Sequence, residues 1–154
     1  MVLDQADFAH LLELRTGLRR FLRWSEGQAK AAGLTATKHQ LLLAIKGHPD
    51  PAGPTIGEVA RWLVLRHHSA VGLVDRAVKD GLVKRNPDPA SKSVVRVSLT
   101  RAGAAKLDAL AEAHLQEIAH LAPTMRALWR ALEHAADGGT PHPAARRPDL
   151  VSAD

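Results

Sequence analysis

Apolar residues return at three- and four-residue intervals between Asp4 and Ala32, as Phe8, Leu11, Leu12, Leu14, Leu18, Phe21 and Leu22. With Arg15, Arg19, Arg20 and Arg23 interleaved, this spacing predicts one long amphipathic helix. Gly33 supplies its C-cap, and Thr35 or Thr37 can cap a second helix whose continuous run Leu41 to Ile45 predicts burial on most sides. The stretch from Gly47 to Pro54 holds three prolines and two glycines and must be a loop. Ile56, Val59, Ala60 and Leu63 then form the inward stripe of a short helix, and Leu65 closes the turn after it. Ala70, Leu73, Val74 and Ala77 form the inward stripe of the next helix, which Gly81 ends. Leu82 to Arg85 and Val94 to Leu99 read as strands, the second alternating at period two, joined by the polar tip NPDPASKS.

After Thr100, the period of Ala102, Ala105, Leu107, Leu110, Leu115, Ile118 and Leu121 predicts a helix ending ahead of Pro123. That proline suits the first turn of a further helix carrying Met125, Leu128, Trp129 and Leu132. Past Ala136 the chain becomes rich in Gly and Pro, so residues 137–154 are expected to be a loosely held tail. The fold expected is mainly α with a small β-wing: one domain over residues 1–136, in which a winged helix-turn-helix (about 35–100) is flanked by long helices at 4–32 and 100–136. Each long helix carries apolar residues on more than one side. A short chain commonly buries such surplus against a copy of itself, so these helices are expected to make a homodimer.

Composition narrows the chemistry. At 154 residues the chain has the length of one domain, and with 45% hydrophobic but 3% aromatic residues its core must be Leu, Val and Ala. It has no cysteine, which excludes disulfides and thiol sensing and leaves only His and carboxylates as zinc ligands. The N-terminus is acidic where a signal peptide would be basic, and no apolar run approaches the roughly 18 to 20 residues that span a bilayer; a cytoplasmic protein is expected. Charge is concentrated. From Arg61 to Arg101 nine basic residues face three acidic ones, a net of +6, while the remaining 12 bases and 13 acids net −1. The excess therefore sits on the helix-turn-helix and wing, as expected of a phosphate-binding surface, and double-stranded DNA is the leading partner.

Several residues are candidate DNA contacts. Arg66 precedes the second helix of the motif, and His67, His68, Ser69, Val71, Gly72 and Arg76 lie off its inward stripe. Histidine and serine can bond base edges or phosphates, Val71 can touch a thymine methyl, and Arg76 can reach phosphate or guanine. Gly72 costs about 1 kcal/mol relative to alanine in mid-helix, so it marks either close approach to DNA or crowding by a neighbouring helix. His67 and His68 point about 100° apart, which disfavours a shared metal ion. In the wing, Lys92 lies at the tip and Arg85 and Arg96 flank it, where cations can bind phosphate or enter the minor groove; a solvated charged hairpin is the bland reading.

With these residues laid out, the chain resembles the MarR (multiple-antibiotic-resistance regulator) family of bacterial transcription factors over roughly Leu34 to Leu121. The resemblance rests on the Leu34–Thr35 pair, IGEVARWL, HSAVGLVDR, DGLVKR before the wing, DP inside it, and VSLTRAG after it. It implies a winged-helix homodimer on pseudo-palindromic duplex DNA, often a repressor released by a small phenolic or amphipathic effector. By the same resemblance the effector pocket would involve Arg15, Arg19 and Trp24. One departure stands out: the family's Asp-x-Arg element in the wing is replaced by Ser91 and Ser93, and Lys92 lacks the planar fork of the usual arginine. Other classes have less behind them. No nucleophile motif or phosphate-cradling glycine loop supports an enzyme, and no cofactor site is read. A metal-sensing regulator could use His114 with Glu117, or Glu117 with His120, at i, i+3 spacing. A pure interaction module without DNA binding is the remaining alternative.

Overall fold

The computed structural model describes residues 3–91 and 93–136, which form two compact units, 28–112 and 3–27 with 113–136. Lys92 and the expected tail at 137–154 lie outside the described residues. Two helices contribute to both units, α1 (Gln5–Ala31) and α5 (Arg101–Ala136); α2 (Ala36–Lys46), α3 (Ile56–Trp62), α4 (His67–Lys79), β1 (Val83–Pro87) and β2 (Val95–Leu99) lie in the larger one. The architecture is the expected one, mainly helical with a two-stranded antiparallel wing.

In the larger unit, local signals and burial agree. Thr35 caps α2 by accepting from the Lys38 amide at 3.2 Å. Thr55 and Glu58 form a capping box on α3: the Glu58 amide donates to the Thr55 hydroxyl at 3.2 Å, and the Thr55 amide donates to the Glu58 carboxylate at 2.7 Å. Leu41 and Leu42 of α2, Val59 of α3, Leu73 and Val74 of α4, Val83 and Val97 of the wing, and Leu107 and Leu110 of α5 pack into one core. The inward stripes predicted for α3 and α4 are the ones that meet there, with Ile56, Leu63 and Leu65 packed at its edge. In the smaller unit, Leu128 is buried and Gly17 admits Met125, whose Sδ lies 3.2 Å from where a Cβ would stand.

The wing differs from expectation at both ends. β1 begins one residue later than predicted and continues through Asn86 and Pro87, pairing Val83 with Leu99, Arg85 with Val97 and Pro87 with Val95. A proline is tolerated there because it ends a strand that pairs on one side only. The Asn86 side chain also donates to Ser98 Oγ across the ladder at 2.7 Å.

The second correction concerns Pro123. Two helices were expected to meet there, but α5 runs through it without a break. Pro123 removes one N–H bond, to the Ala119 carbonyl, and its ring crowds that carbonyl, a cost of about 3 kcal/mol in a helix interior. The apolar period continues across it through Leu121, Met125 and Leu128, of which Leu128 is buried, and no glycine cap stops the chain.

Candidate nucleic-acid interface

The inner face of α4 is fully committed to the core, with Ala70, Leu73, Val74 and Ala77 buried, which fixes what its outer face presents. Arg66, His67, His68 and Arg76 are exposed, and Ser69, Val71 and Gly72 are half-buried. Arg66 is the N-cap and offers no side-chain cap bond, so its guanidinium is not tied to the helix end. Glycine at 72 does not relieve crowding by another helix: a Cβ there would meet only Arg76 Nη1, at 3.3 Å. Arg76 folds back over Gly72 one turn away, and the flat face at Gly72 is where its guanidinium rests.

The wing cations behave differently from one another. Arg85 Nη1 donates to Asp75 Oδ1 of α4 at 2.8 Å, so this half-exposed arginine joins wing to helix while staying at the surface. Lys84 beside it is exposed. Arg96 corrects the expectation of an outward cation. Its Nε bonds the Asp88 carboxylate, and its Nη1 donates to the Gly53 carbonyl at 2.8 Å and to Asp50 Oδ2 at 3.0 Å. Its side chain is only 19% exposed, because the pleat turns it towards the Gly47–Pro54 loop, where Thr55 bridges it and Val97 N–H donates to Pro54 O at 2.8 Å. Gly53 is required at this seam: φ is +83°, and a Cβ would stand 2.1 Å from Val97 O. His48 completes the loop, with Nε2 3.7 Å from Glu58 Oε1 and its ring 5.2 Å from that of Trp62.

Sequence reasoning missed the partner that makes this pin, Asp88. Its carboxylate accepts the Arg96 bond and also those of the Ala90 and Ser91 amides, at 2.7 and 3.0 Å. The signal was present as an Asp inside the polar tip, whose side chain can accept from the amide two residues on, the Asx-turn pattern that starts a tight loop. Where the family's Asp-x-Arg would lie, Ser91 Oγ and Ser93 Oγ share a hydrogen bond of 2.9 Å. The Asp88–Arg96 pair therefore ties the base of a wing whose tip lacks a planar cation.

The Arg96 bond, reinforced by the Ala90 and Ser91 amides, holds the Asp88 carboxyl below the usual aspartate range. At Glu58 burial acts to raise the carboxyl, but the Thr55 amide and hydroxyl, with His48 and Arg96 nearby, outweigh it and the net shift is down. A depressed carboxylate stabilises the fold fully above its unfolded value, about 3.9 for aspartate, and loses that contribution as pH falls through the lower folded value. The stability gap between wild type and Asp88→Asn is therefore expected to be full at neutral pH and to close on acidification below about pH 3.9. Urea unfolding of both proteins over a pH series checks it, and a gap that persists in acid would show that Asp88 acts by shape and not by charge.

The smaller unit places the expected effector residues unevenly. Trp24 is half-buried, its ring 4.9 Å from that of His114 and 6.0 Å from that of Phe21, and Ser25 Oγ lies 2.8 Å from His114 Nε2. Arg15 and Arg19 are exposed and line neither of the grooves of this unit. One groove, about 550 Å³, is walled by Leu14, Leu18, Phe21, Met125 and Trp129, with Arg126 and Arg130 on its lining. Among the described residues no group of three His, Asp or Glu side chains converges on one point, and no helix is long and apolar enough to cross a membrane.

The sequence model of the MarR family matches residues 32–92. Among solved structures, a MarR family protein from Bacillus stearothermophilus superposes with a TM-score of 0.68 at 20% identity, covering 89% of this chain and 98% of its own. Wild-type MarR from E. coli in its apo form gives 0.61 at 22% identity, covering 92% and 100%. A mutant of the E. coli protein complexed with operator DNA gives 0.63 at 24% identity, covering 82% and 90%. No curated protein sequence matches the chain.

Proposed function

We propose that this chain, which has the winged-helix fold of MarR transcription regulators and their sequence signature over residues 32–92, is a sequence-specific duplex-DNA-binding regulator. It acts in the cytoplasm as a homodimer and works as a repressor released by a small amphipathic effector. The observation that carries the reading is the outer face of α4. One side of that helix is wholly buried, and the other offers Arg66, His67, His68 and Arg76, with Asp75 as the helix's one acidic residue and that one paired with Arg85 of the wing. A basic helix face of this kind fits the major groove of a pseudo-palindromic operator, and the similar E. coli protein has been solved in complex with operator DNA.

Homodimerisation is supported by the smaller unit, where Phe8, Leu12, Leu22, Leu115 and Trp129 are all more than half exposed. Apolar residues crowded on one helix pair mark a surface that is covered in the working state. For the effector, the Trp24, Phe21 and His114 cluster offers flat aromatic walls, which suits an aromatic molecule better than the exposed Arg15 and Arg19 do.

Duplexes enriched by the protein from random sequence, then measured over a salt series beside scrambled copies, test the reading. Replacing His68, Ser69 or Val71 by alanine is expected to cost about 1 to 3 kcal/mol on the enriched duplex and to relax its sequence preference. Replacing Lys92 should weaken all duplexes alike and lower the salt slope by roughly one unit per site. Equal loss on enriched and scrambled DNA from the α4 substitutions would reject α4 as the reading element.

A further inference from the structure

Between α3 and α4 the chain turns at Leu63, Val64 and Leu65, and the middle residue adopts φ +52°. Val64 is the only non-glycine with positive φ among the described residues. Two branches on Cβ make this left-handed conformation a rare one for valine, whereas glycine enters it freely, and helix-turn-helix turns often place glycine there. The backbone around it is held firmly, with Leu65 N–H donating to Ala60 O at 2.8 Å and Val64 N–H to Arg61 O at 3.2 Å. Leu63 and Leu65 on either side pack against the core. Val64 itself packs on nothing that would compensate: it is 90% exposed.

A strained, branched, solvent-facing residue gives this chain no stability of its own, so its use lies in what meets it. The surroundings indicate what that is. Arg61, Arg66, His67 and His68 are exposed around the turn, and no acidic residue lies between Val59 and Val74. A second copy presenting the same basic turn would be repelled, whereas a polyanion carrying isolated apolar points is matched in both respects. Duplex DNA is such a surface, because each thymine projects a methyl group into the major groove beside the phosphates.

We propose that Val64 is a specificity contact, its methyl groups lying against a thymine methyl within the half-site read by α4. This rests on the DNA-binding reading above. The residue trades fold stability for discrimination: the turn would be more stable with glycine, and the contact would be lost.

The test uses the full chain and the duplex enriched by the wild type, together with copies in which each thymine in turn is replaced by uracil, which removes only the C5 methyl. Wild type should lose roughly threefold to fivefold in affinity at one uracil position of each half-site, the scale of one buried methyl. Val64→Gly should melt at a higher temperature than wild type, bind the parent duplex more weakly by a similar factor, and be indifferent to that same uracil. Val64→Ala, which keeps a Cβ in the strained turn but lacks the methyl groups, should share the loss of binding and gain less in melting temperature. If Val64→Gly bound the parent duplex as tightly as wild type with the same uracil sensitivity, the contact would be overturned while the DNA-binding reading stood. If wild type enriched no duplex, both would fall, and retention of the chain by an acidic protein would then identify the alternative partner of this turn.

Discussion

Adding one methyl group at position 103 is expected to destabilise the protein by about 2 to 4 kcal/mol, against the direction of helix propensity. Gly103 sits in the first turn of α5, where alanine should gain up to about 1 kcal/mol if only the helix mattered. The site forbids it: a Cβ would stand 2.0 Å from Leu82 O and 2.9 Å from Leu82 C, both backbone atoms. That backbone cannot yield cheaply. Leu82 N–H donates to Ala77 O at 3.0 Å, while Leu82 O accepts from the Thr100 amide at 3.0 Å and the Thr100 hydroxyl at 3.1 Å, so the carbonyl is clamped between α4 and the cap of α5. Thr100 Oγ1 also accepts from Gly103 N–H at 3.0 Å, so shifting the helix to make room would break its own cap. Against a typical total of about 5 to 15 kcal/mol the loss is large. Gly27→Ala is the control, since nothing lies within 4 Å of its Cβ position in α1, and it should gain up to about 1 kcal/mol. Urea unfolding of the two variants decides it, and shifts of the same sign would mean that propensity, not close packing, governs both sites.

The largest effect on function is expected from the double variant Leu22→Glu with Leu115→Glu. Both side chains are more than half exposed, and glutamate is a good helix former, so the protomer should fold as before. Two carboxylates per chain, placed in the face proposed to join the copies, would oppose that pairing. The expected product is a monomer that keeps one α4 but loses the gain from engaging two half-sites together, a fall of about 100- to 10,000-fold on the two-half-site duplex. On a duplex with a single half-site the variant and wild type should differ little. Sedimentation with paired affinity measurements checks both parts. A dimer with full affinity would place the contact between copies elsewhere on the chain.

Much of this architecture is local in origin and could be read from residues alone. The stripes of α3 and α4, the cap at Thr35, the period-two strand ending at Leu99 and the polar tip of the wing each depend on neighbours a few positions away. The basic excess between Arg61 and Arg101, and the signature shared with the MarR family, were legible for the same reason. Periodicity orients a side chain about the axis of its own element, so it separated the buried face of α4 from the face that carries Arg66, His67 and His68.

Side-chain partners and close approaches were decided only when distant segments came together. Arg85 and Arg96 are alike as charges in a strand, yet one reaches Asp75 at the surface and the other is held inward by Asp88, Asp50 and Gly53. The helix carries on through Pro123, with Leu128 buried beyond it, and Gly103 is hemmed in by Leu82, which lies outside its helix. Val64 shows the same limit in the backbone. Nothing in its sequence surroundings signals a left-handed valine; the anchoring of Leu63 and Leu65 in the core forces that conformation on the residue between them. Periods and caps act over one or two turns of chain, whereas ion pairs, clashes and backbone strain arise from which surfaces the fold brings into contact.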